Sequence, residues 1–235
     1  MTKELNNRIK ATENFSTDLV HEIRNPLASL KSASEILHDT NDINQRVKLI
    51  NILSHDVQRI ERLITDYSQM LKDEVALSKE KTKKLDIEPI IKSVVDDFNN
   101  IYKVKRGINI SYLNDGKNKY YINGIENRLE QIIANLLDNA ISFSDDNKDI
   151  TVRVSKSKDE RININVLDEG QGFKEKDTNK IFKRFYSNRP DRFGQHSGLG
   201  LNIVKNLVEL HNGSIKASNR LDQKGASMEI TFPTA

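Results

Sequence analysis

The stretch His21-Glu22-Ile23-Arg24-Asn25-Pro26-Leu27 places an imidazole, a carboxylate and a carboxamide within little more than one helical turn. A neutral imidazole is a nucleophile near physiological pH, and an adjacent carboxylate can hold the proton on its other ring nitrogen. At about 100° per residue His21 lies about 200° from Leu19 and Ile23, so it points away from their apolar row and toward water. An ordinary surface histidine beside a surface glutamate is the plain alternative. A zinc-protease helix is excluded, since HExxH needs a second histidine where Asn25 stands. Pro26 removes one backbone donor and is expected to kink or loosen the helix. Further on, Asn135 and Asn139 are four apart on one helix face. Their carboxamide oxygens suit a hard cation such as Mg²⁺ that keeps waters and bridges phosphates. Asp168-Glu169-Gly170-Gln171-Gly172 follows an alternating strand. An acid at that point can accept a hydrogen bond from an exocyclic amine, while the glycines allow a sharp turn and close backbone approach. Last, Gly194-Gln195-His196-Ser197-Gly198-Leu199-Gly200-Leu201 opens a helix. Glycine-rich backbone there turns unpaired N–H groups toward phosphate, in neither a Walker A nor a G-x-G-x-x-G spacing.

These groups need elements to hold them. From Phe15 to Leu71 the pattern is helical, and no glycine precedes Gly107. Ile50, Leu53, Val57, Ile60, Ile64, Tyr67 and Leu71 step by three and four, a heptad seam. Phe15, Leu19, Ile23, Leu27, Leu30, Ser34 and Leu37 repeat the rhythm, and residues 38–44 are polar and form the turn. The expectation is a helical hairpin whose uncovered stripe is buried by a second copy in a dimeric four-helix bundle. A charged linker, residues 79–84, separates this region (1–78) from a second one (85–235). There the patterns predict strands at 85–87, 108–113, 119–122, 150–155, 161–167, 213–218 and 226–232. Helices are predicted at 88–102, 125–143, 177–185 and 199–211. The fold class is therefore multi-domain, an all-α hairpin followed by an α/β sandwich (α+β).

Composition narrows the chemistry. The 235 residues contain no cysteine, which excludes disulfides, thiolate zinc sites and cysteine nucleophiles. No tryptophan and 6% aromatic residues argue against a stacking platform for single-stranded nucleic acid. No run approaches the roughly 18 to 20 apolar residues of a membrane helix, and MTKELNNRIK lacks a signal peptide's apolar stretch, so a soluble chain is expected. Residues 1–80 carry 11 basic and 13 acidic side chains, whereas the remainder carries 26 and 21. The basic excess, concentrated between Lys174 and Arg192 beside the glycine-rich turns, suits a phosphate-bearing small ligand.

HEIRNPL resembles the phosphoacceptor box of sensor histidine kinases. Four further stretches, in order, are similar to that family's nucleotide boxes, whose fold is shared with gyrase, Hsp90 and MutL ATPases. The resemblance implies that His21 accepts the γ-phosphoryl of ATP, with Glu22 as its proton acceptor and Asn25 orienting water for a reverse, phosphatase reaction. It implies that Asn135 and Asn139 form the Mg²⁺-ATP helix, with Asn139 the direct metal ligand, although Ser142 stands where many relatives carry lysine. Asp168, with Gly170 and Gly172, would select adenine. Ile181-Phe182-Lys183-Arg184-Phe185-Tyr186 resembles the box anchoring a mobile lid, with Phe182 packing and Arg184 near phosphate. Ser197, Gly198, Leu199 and Gly200 would form the phosphate-binding helix start, residues 187–197 the lid, and Gly225-Ala226-Ser227 a strand closing the adenine pocket. The implied cofactors are ATP and Mg²⁺, and the implied partners a second copy and a response-regulator receiver domain. Neither nucleic acid nor membrane contact is expected, the chain being the cytosolic portion of a membrane-anchored sensor. A non-phosphorylating ATPase and a nucleotide-binding pseudokinase scaffold are the rival classes. His38, His55 and His211 have no neighbour at ligand spacing and receive no role; for His196 a phosphate contact stays open.

Overall fold

The computed structural model describes residues 2–77, 80–116, 119–157, 159–174, 177–186 and 198–235, with side chains in the first helical region from Thr17 to Ser68. Two compact units result, one ending at Val75 and the other comprising Ala76–Tyr186 and Gly198–Ala235.

The first unit is a hairpin of α1 (Thr2–Asp39) and α2 (Ile43–Leu77). Asp42 starts α2, its carboxylate accepting from the amides of Asn44 (2.8 Å) and Gln45 (3.3 Å), a charge-matched N-terminal cap. Arg46 fastens the turn by donating to the carbonyls of Leu37 and Thr40. Of the expected seam, Leu19, Ile23, Leu30 and Leu37 of α1 and Leu53, Ile60 and Tyr67 of α2 are half-buried, and the alternate members are displaced by one residue. Pro26 and Ala33 are buried, whereas Leu27 and Ser34 are exposed; on α2, Leu49 and Leu63 are buried, while Ile50, Val57 and Ile64 lie about half open. Two adjacent rows share the three-four rhythm, and the hairpin buries Pro26 and Ala33 of one in place of Leu27 and Ser34 of the other. Phe15 and Leu71 fall outside the described side chains. The second row, Ile43, Val47, Ile50, Val57 and Ile64, remains as an apolar stripe along α2. The helix α1 continues through Pro26 without a break in its assignment.

The second unit runs β1 (Lys83–Asp86), α3 (Ile87–Arg106), β2 (Asn109–Asn114), β3 (Tyr121–Gly124), α4 (Glu126–Phe143), β4 (Asp149–Lys156), β5 (Arg161–Leu167), α5 (Gly200–Leu210), β6 (Ser214–Asn219) and β7 (Ala226–Pro233). Five strands form one sheet in the order β2-β4-β5-β7-β6, parallel only between β2 and β4; β1 and β3 pair separately. Ile150, Val152 and Val154 of β4, Ile162, Ile164 and Val166 of β5, and Met228, Ile230 and Phe232 of β7 alternate into one core. Ile132, Ile133, Leu136 and Leu137 of α4 and Val204, Leu207 and Val208 of α5 complete it from the helical side. The intervening residues, Thr151, Arg153, Asn163, Asn165 and Glu229, form the opposite polar face, the period-two signature of a half-solvated sheet. One expected helix is shorter than the sequence suggests. Residues 177–185 hold only a 3₁₀ helix, Thr178–Phe182, because Asp177 caps its start and Lys183 turns to extended backbone. Phe185 then adopts φ +58°.

Candidate active site

His21 is exposed on α1, between half-buried Leu19 and Ile23, where the angular arithmetic placed it, and Asn25 is exposed one turn later. Glu22 is turned inward. Its Oε2 accepts from Arg59 Nη2 on α2 at 3.0 Å, with the two side chains 26% and 17% exposed. The carboxylate of the residue that follows His21 in sequence is thus held by an ion pair across the hairpin.

In the second unit Asp168 ends β5 and is 3% exposed. Its Oδ1 accepts from the amides of Gly170 (2.9 Å) and Ala226 (3.0 Å), while its own N–H donates to Ala226 O. Among the described residues Oδ2 has no hydrogen-bond partner, so one carboxylate oxygen is fixed and the other stays available as an acceptor. Burial pushes the Asp168 carboxyl above its ordinary value, opposed by the two amides and by Arg220. The glycines are required by approach. A Cβ on Gly170 would stand 2.4 Å from Phe143 O, and one on Gly172, at φ +74°, 2.6 Å from Asn219 Oδ1.

Asn135 and Asn139 lie half-buried on α4. Ser142 donates its hydroxyl to the Asn139 carbonyl at 2.9 Å, so the residue at the expected lysine position is spent on the helix itself. The start of α5 comes up beside Asn135: a Cβ on Gly200 would lie 3.9 Å from Asn135 Oδ1. No side chain caps α5 and no acid occupies its first turn, which leaves the positive end of the helix for an anion. Leu199 is fully buried behind it. Gly198, at φ +73°, packs on the Phe185 backbone, where a Cβ would meet the Phe185 carbonyl carbon at 2.7 Å. The described residues flanking 187–197 therefore meet. Phe182 is buried and its carbonyl accepts from Asn202 Nδ2 of α5 at 2.9 Å; Arg184 is half-buried beside it. Ser197, His196 and the expected lid, 187–197, lie outside the described residues. Ser227 lies in β7 and lines a cavity of about 410 Å³ with Thr178, Lys216, Ser218 and Glu229, because the alternation of β7 turns Ala226 and Met228 inward and Ser227 outward.

No group of three or more histidine, cysteine, aspartate or glutamate side chains among the described residues could hold a metal. A hard cation would therefore rely on carboxamide oxygens and on ligand phosphates, and the donor type at Asn135 and Asn139 fits Mg²⁺.

Sequence reasoning missed His211. It is 3% exposed, donates through Nδ1 to Leu207 O at 2.7 Å and accepts through Nε2 from the Ile125 amide at 3.1 Å. It thereby caps α4, whose N-cap residue offers no side chain of its own, and joins that helix to the end of α5. The only sequence signal was its place immediately before the Asn212-Gly213 turn.

Comparison with known proteins agrees with this division. Residues 11–76 match the model of the His Kinase A (phospho-acceptor) domain, and residues 124–235 that of the Histidine kinase-, DNA gyrase B-, and HSP90-like ATPase. The chain belongs to the sensor histidine kinases. It is 39% identical to the sensor protein ChvG of Agrobacterium fabrum across the whole of this chain and 41% of that protein. With ChvG of Rhizobium meliloti the identity is 37%, over 96% of this chain and 40% of the relative. The chain thus spans about two fifths of the length of these relatives. Among solved structures, histidine kinase ThkA in complex with response regulator protein TrrA gives a TM-score of 0.69 at 22% identity, covering 98% of this chain and 64% of that one. Full-length ShkA in complex with AMPPNP gives 0.60 at 22% identity, over 95% and 46%. At these identities the likeness to solved structures is one of fold. No helix among the described residues is long and apolar enough to cross a membrane.

Proposed function

We propose that this chain is the catalytic core of a two-component sensor, transferring the γ-phosphoryl of ATP to His21 and then to an aspartate of a response-regulator receiver domain. The exposed imidazole of His21, flanked by an oriented carboxylate, carries the reading. One ring nitrogen attacks the γ-phosphorus, the bond to the bridging oxygen breaks and ADP departs. Glu22 takes the proton from the other ring nitrogen, so that the attacking one keeps its lone pair. Asp168 Oδ2 accepts from the adenine amine, and the α5 start with Gly198, Leu199 and Gly200 faces the phosphates. Phe182 anchors the lid, to which Ser197 belongs, and Arg184 approaches the phosphates. Asn135 and Asn139 would hold Mg²⁺, Asn139 directly, and the cation would supply charge neutralisation at the phosphates.

The working division is 1–78 for dimerisation and phosphotransfer, 79–84 as linker and 85–235 for ATP binding. The apolar stripe Ile43, Val47, Ile50, Val57 and Ile64 supports a homodimer. Asn25, exposed one turn past His21, supports a water-orienting role in dephosphorylating the regulator. A membrane-anchored sensor whose cytosolic part is this chain agrees with the greater length of its relatives. Incubation with γ-labelled Mg·ATP tests the proposal. Label that is acid-labile and base-stable is expected on the wild type, and none on His21→Ala, which still binds ATP. Label surviving that substitution, or ATP binding without labelling of the wild type, overturns it.

A further inference from the structure

The β6–β7 hairpin carries an arginine that none of the nucleotide boxes includes. Arg220 Nη1 donates to the main-chain carbonyl of Asp168 at 3.2 Å. Its guanidinium is itself fixed by a two-point pair with Asp222, Nε to Oδ1 at 3.0 Å and Nη2 to Oδ2 at 2.6 Å. The side chain of Arg220 is 11% exposed, that of Asp222 68%. The Arg220 amide donates to Gly225 O and closes the loop. Gly225, at φ +145°, leaves room for this approach, since a Cβ there would stand 2.0 Å from Asp168 O and 3.0 Å from Arg220 Cδ.

Asp168 therefore has its N–H, its C=O and Oδ1 all engaged. The hairpin supplies three of these four bonds, through Ala226 O, Ala226 N and Arg220 Nη1; Gly170 N supplies the fourth. The one oxygen left without a partner among the described residues is the base-reading Oδ2. Its direction is a consequence of where the hairpin holds the peptide behind it. A hydrogen bond discriminates between bases only while donor and acceptor stay aligned.

We infer that Arg220, pinned by Asp222, is a positioning residue that sets the purine selectivity of this site by aiming Asp168 at the exocyclic amine of adenine. The inference rests on the proposed nucleotide role of Asp168 and adds to it a determinant 52 residues away in sequence that touches no ligand. A bidentate fork is needed at this position: one arm reaches the carbonyl while the others hold the anchor, which a single ammonium cannot reproduce fully.

The test is equilibrium binding of Mg·ATP and Mg·GTP to the full chain, by calorimetric or fluorescent-analogue competition, for wild type, R220A, R220K and D222N. The expected result is that R220A lowers the ATP-over-GTP affinity ratio by about tenfold, comparable to misaligning one hydrogen bond. R220K recovers part of the ratio, and D222N, which keeps the arginine but loosens its anchor, falls between wild type and R220A. A loss in R220A that is equal for both nucleotides, leaving the ratio unchanged, overturns the inference by reducing Arg220 to a structural role. Should R220A fail to fold, D222N and R220K decide the matter by the same ratio. Wild-type protein that binds neither nucleotide refutes the nucleotide-site reading itself, an outcome distinct from an unchanged ratio.

Discussion

Removing the His211 imidazole will loosen α4 and α5, the two helices proposed to carry nucleotide-binding residues. In His211→Ala the Ile125 amide at the α4 start loses its acceptor, while Leu207 O still receives the residue 211 amide. An orphaned N–H costs about 1–3 kcal/mol. The ring also packs edge-on against Phe232, with centroids 6.1 Å apart, and the vacated space adds about 2 kcal/mol. A total of about 3–5 kcal/mol, at about 2–4 °C per kcal/mol for a unit of this size, lowers the midpoint by roughly 10 °C. Scanning calorimetry of the full chain measures this on the transition that Mg·ATP raises. The pH dependence gives a second, sharper arm. Burial lowers the His211 pKa, partly offset by the hydrogen bond to Leu207. The unfolded chain therefore takes up the proton first as pH falls below about 6.5. Stability is fully present above that value and declines below it, toward the lowered folded value, by up to about 1.4 kcal/mol per pH unit. His211→Gln, which cannot titrate, lacks this component, so the difference between wild type and variant isolates it from every other group. An alanine variant within 1 °C or so of wild type, or parallel wild-type and glutamine profiles between about pH 6.5 and 5, refutes the reasoning.

Asp168→Asn keeps an oxygen for the Gly170 and Ala226 amides but turns a donor toward the adenine amine; ATP affinity is expected to fall by about 10- to 100-fold in a binding titration. Because the Asp168 carboxyl is held above its ordinary value, its ionisation costs stability as pH rises through the interval between the unfolded and folded values. The neutral variant is therefore expected to melt no lower than wild type at pH 7. On the hairpin, Leu63→Ala, at a site 1% exposed, should cost about 2–5 kcal/mol in denaturant unfolding. Paired Ile50→Lys and Val57→Lys substitutions, on the half-open row, should shift sedimentation from dimer to monomer without melting α1 and α2.

Local signals made much of this protein legible. Steps of three and four marked both long helices, and alternation marked every strand of the large sheet within a few residues. The exposure of His21 followed from its angle to Leu19 and Ile23 alone. The order of Asn135, Asn139, Asp168, Gly198 and Gly200 along the chain carried the resemblance to the family's nucleotide boxes, because residue type and short spacing are read directly from sequence. Periodicity is silent about phase when two neighbouring rows are both compatible with it. Pro26 and Ala33 were buried in place of Leu27 and Ser34 by close contact between two helices, a choice no single helix contains. The same limit applies to Ser227, whose face follows from the register of β7 against β5 and β6.

Sequence determined which residues could do chemistry and the elements that carry them, since side-chain identity and backbone periodicity are local properties. Tertiary structure alone decided their orientation: Glu22 by Arg59, α4 by His211, and Asp168 by Arg220 and Gly225. Each of these contacts joins residues 37 to 86 positions apart, and a contact of that range exists only once the apolar core has brought its two ends together.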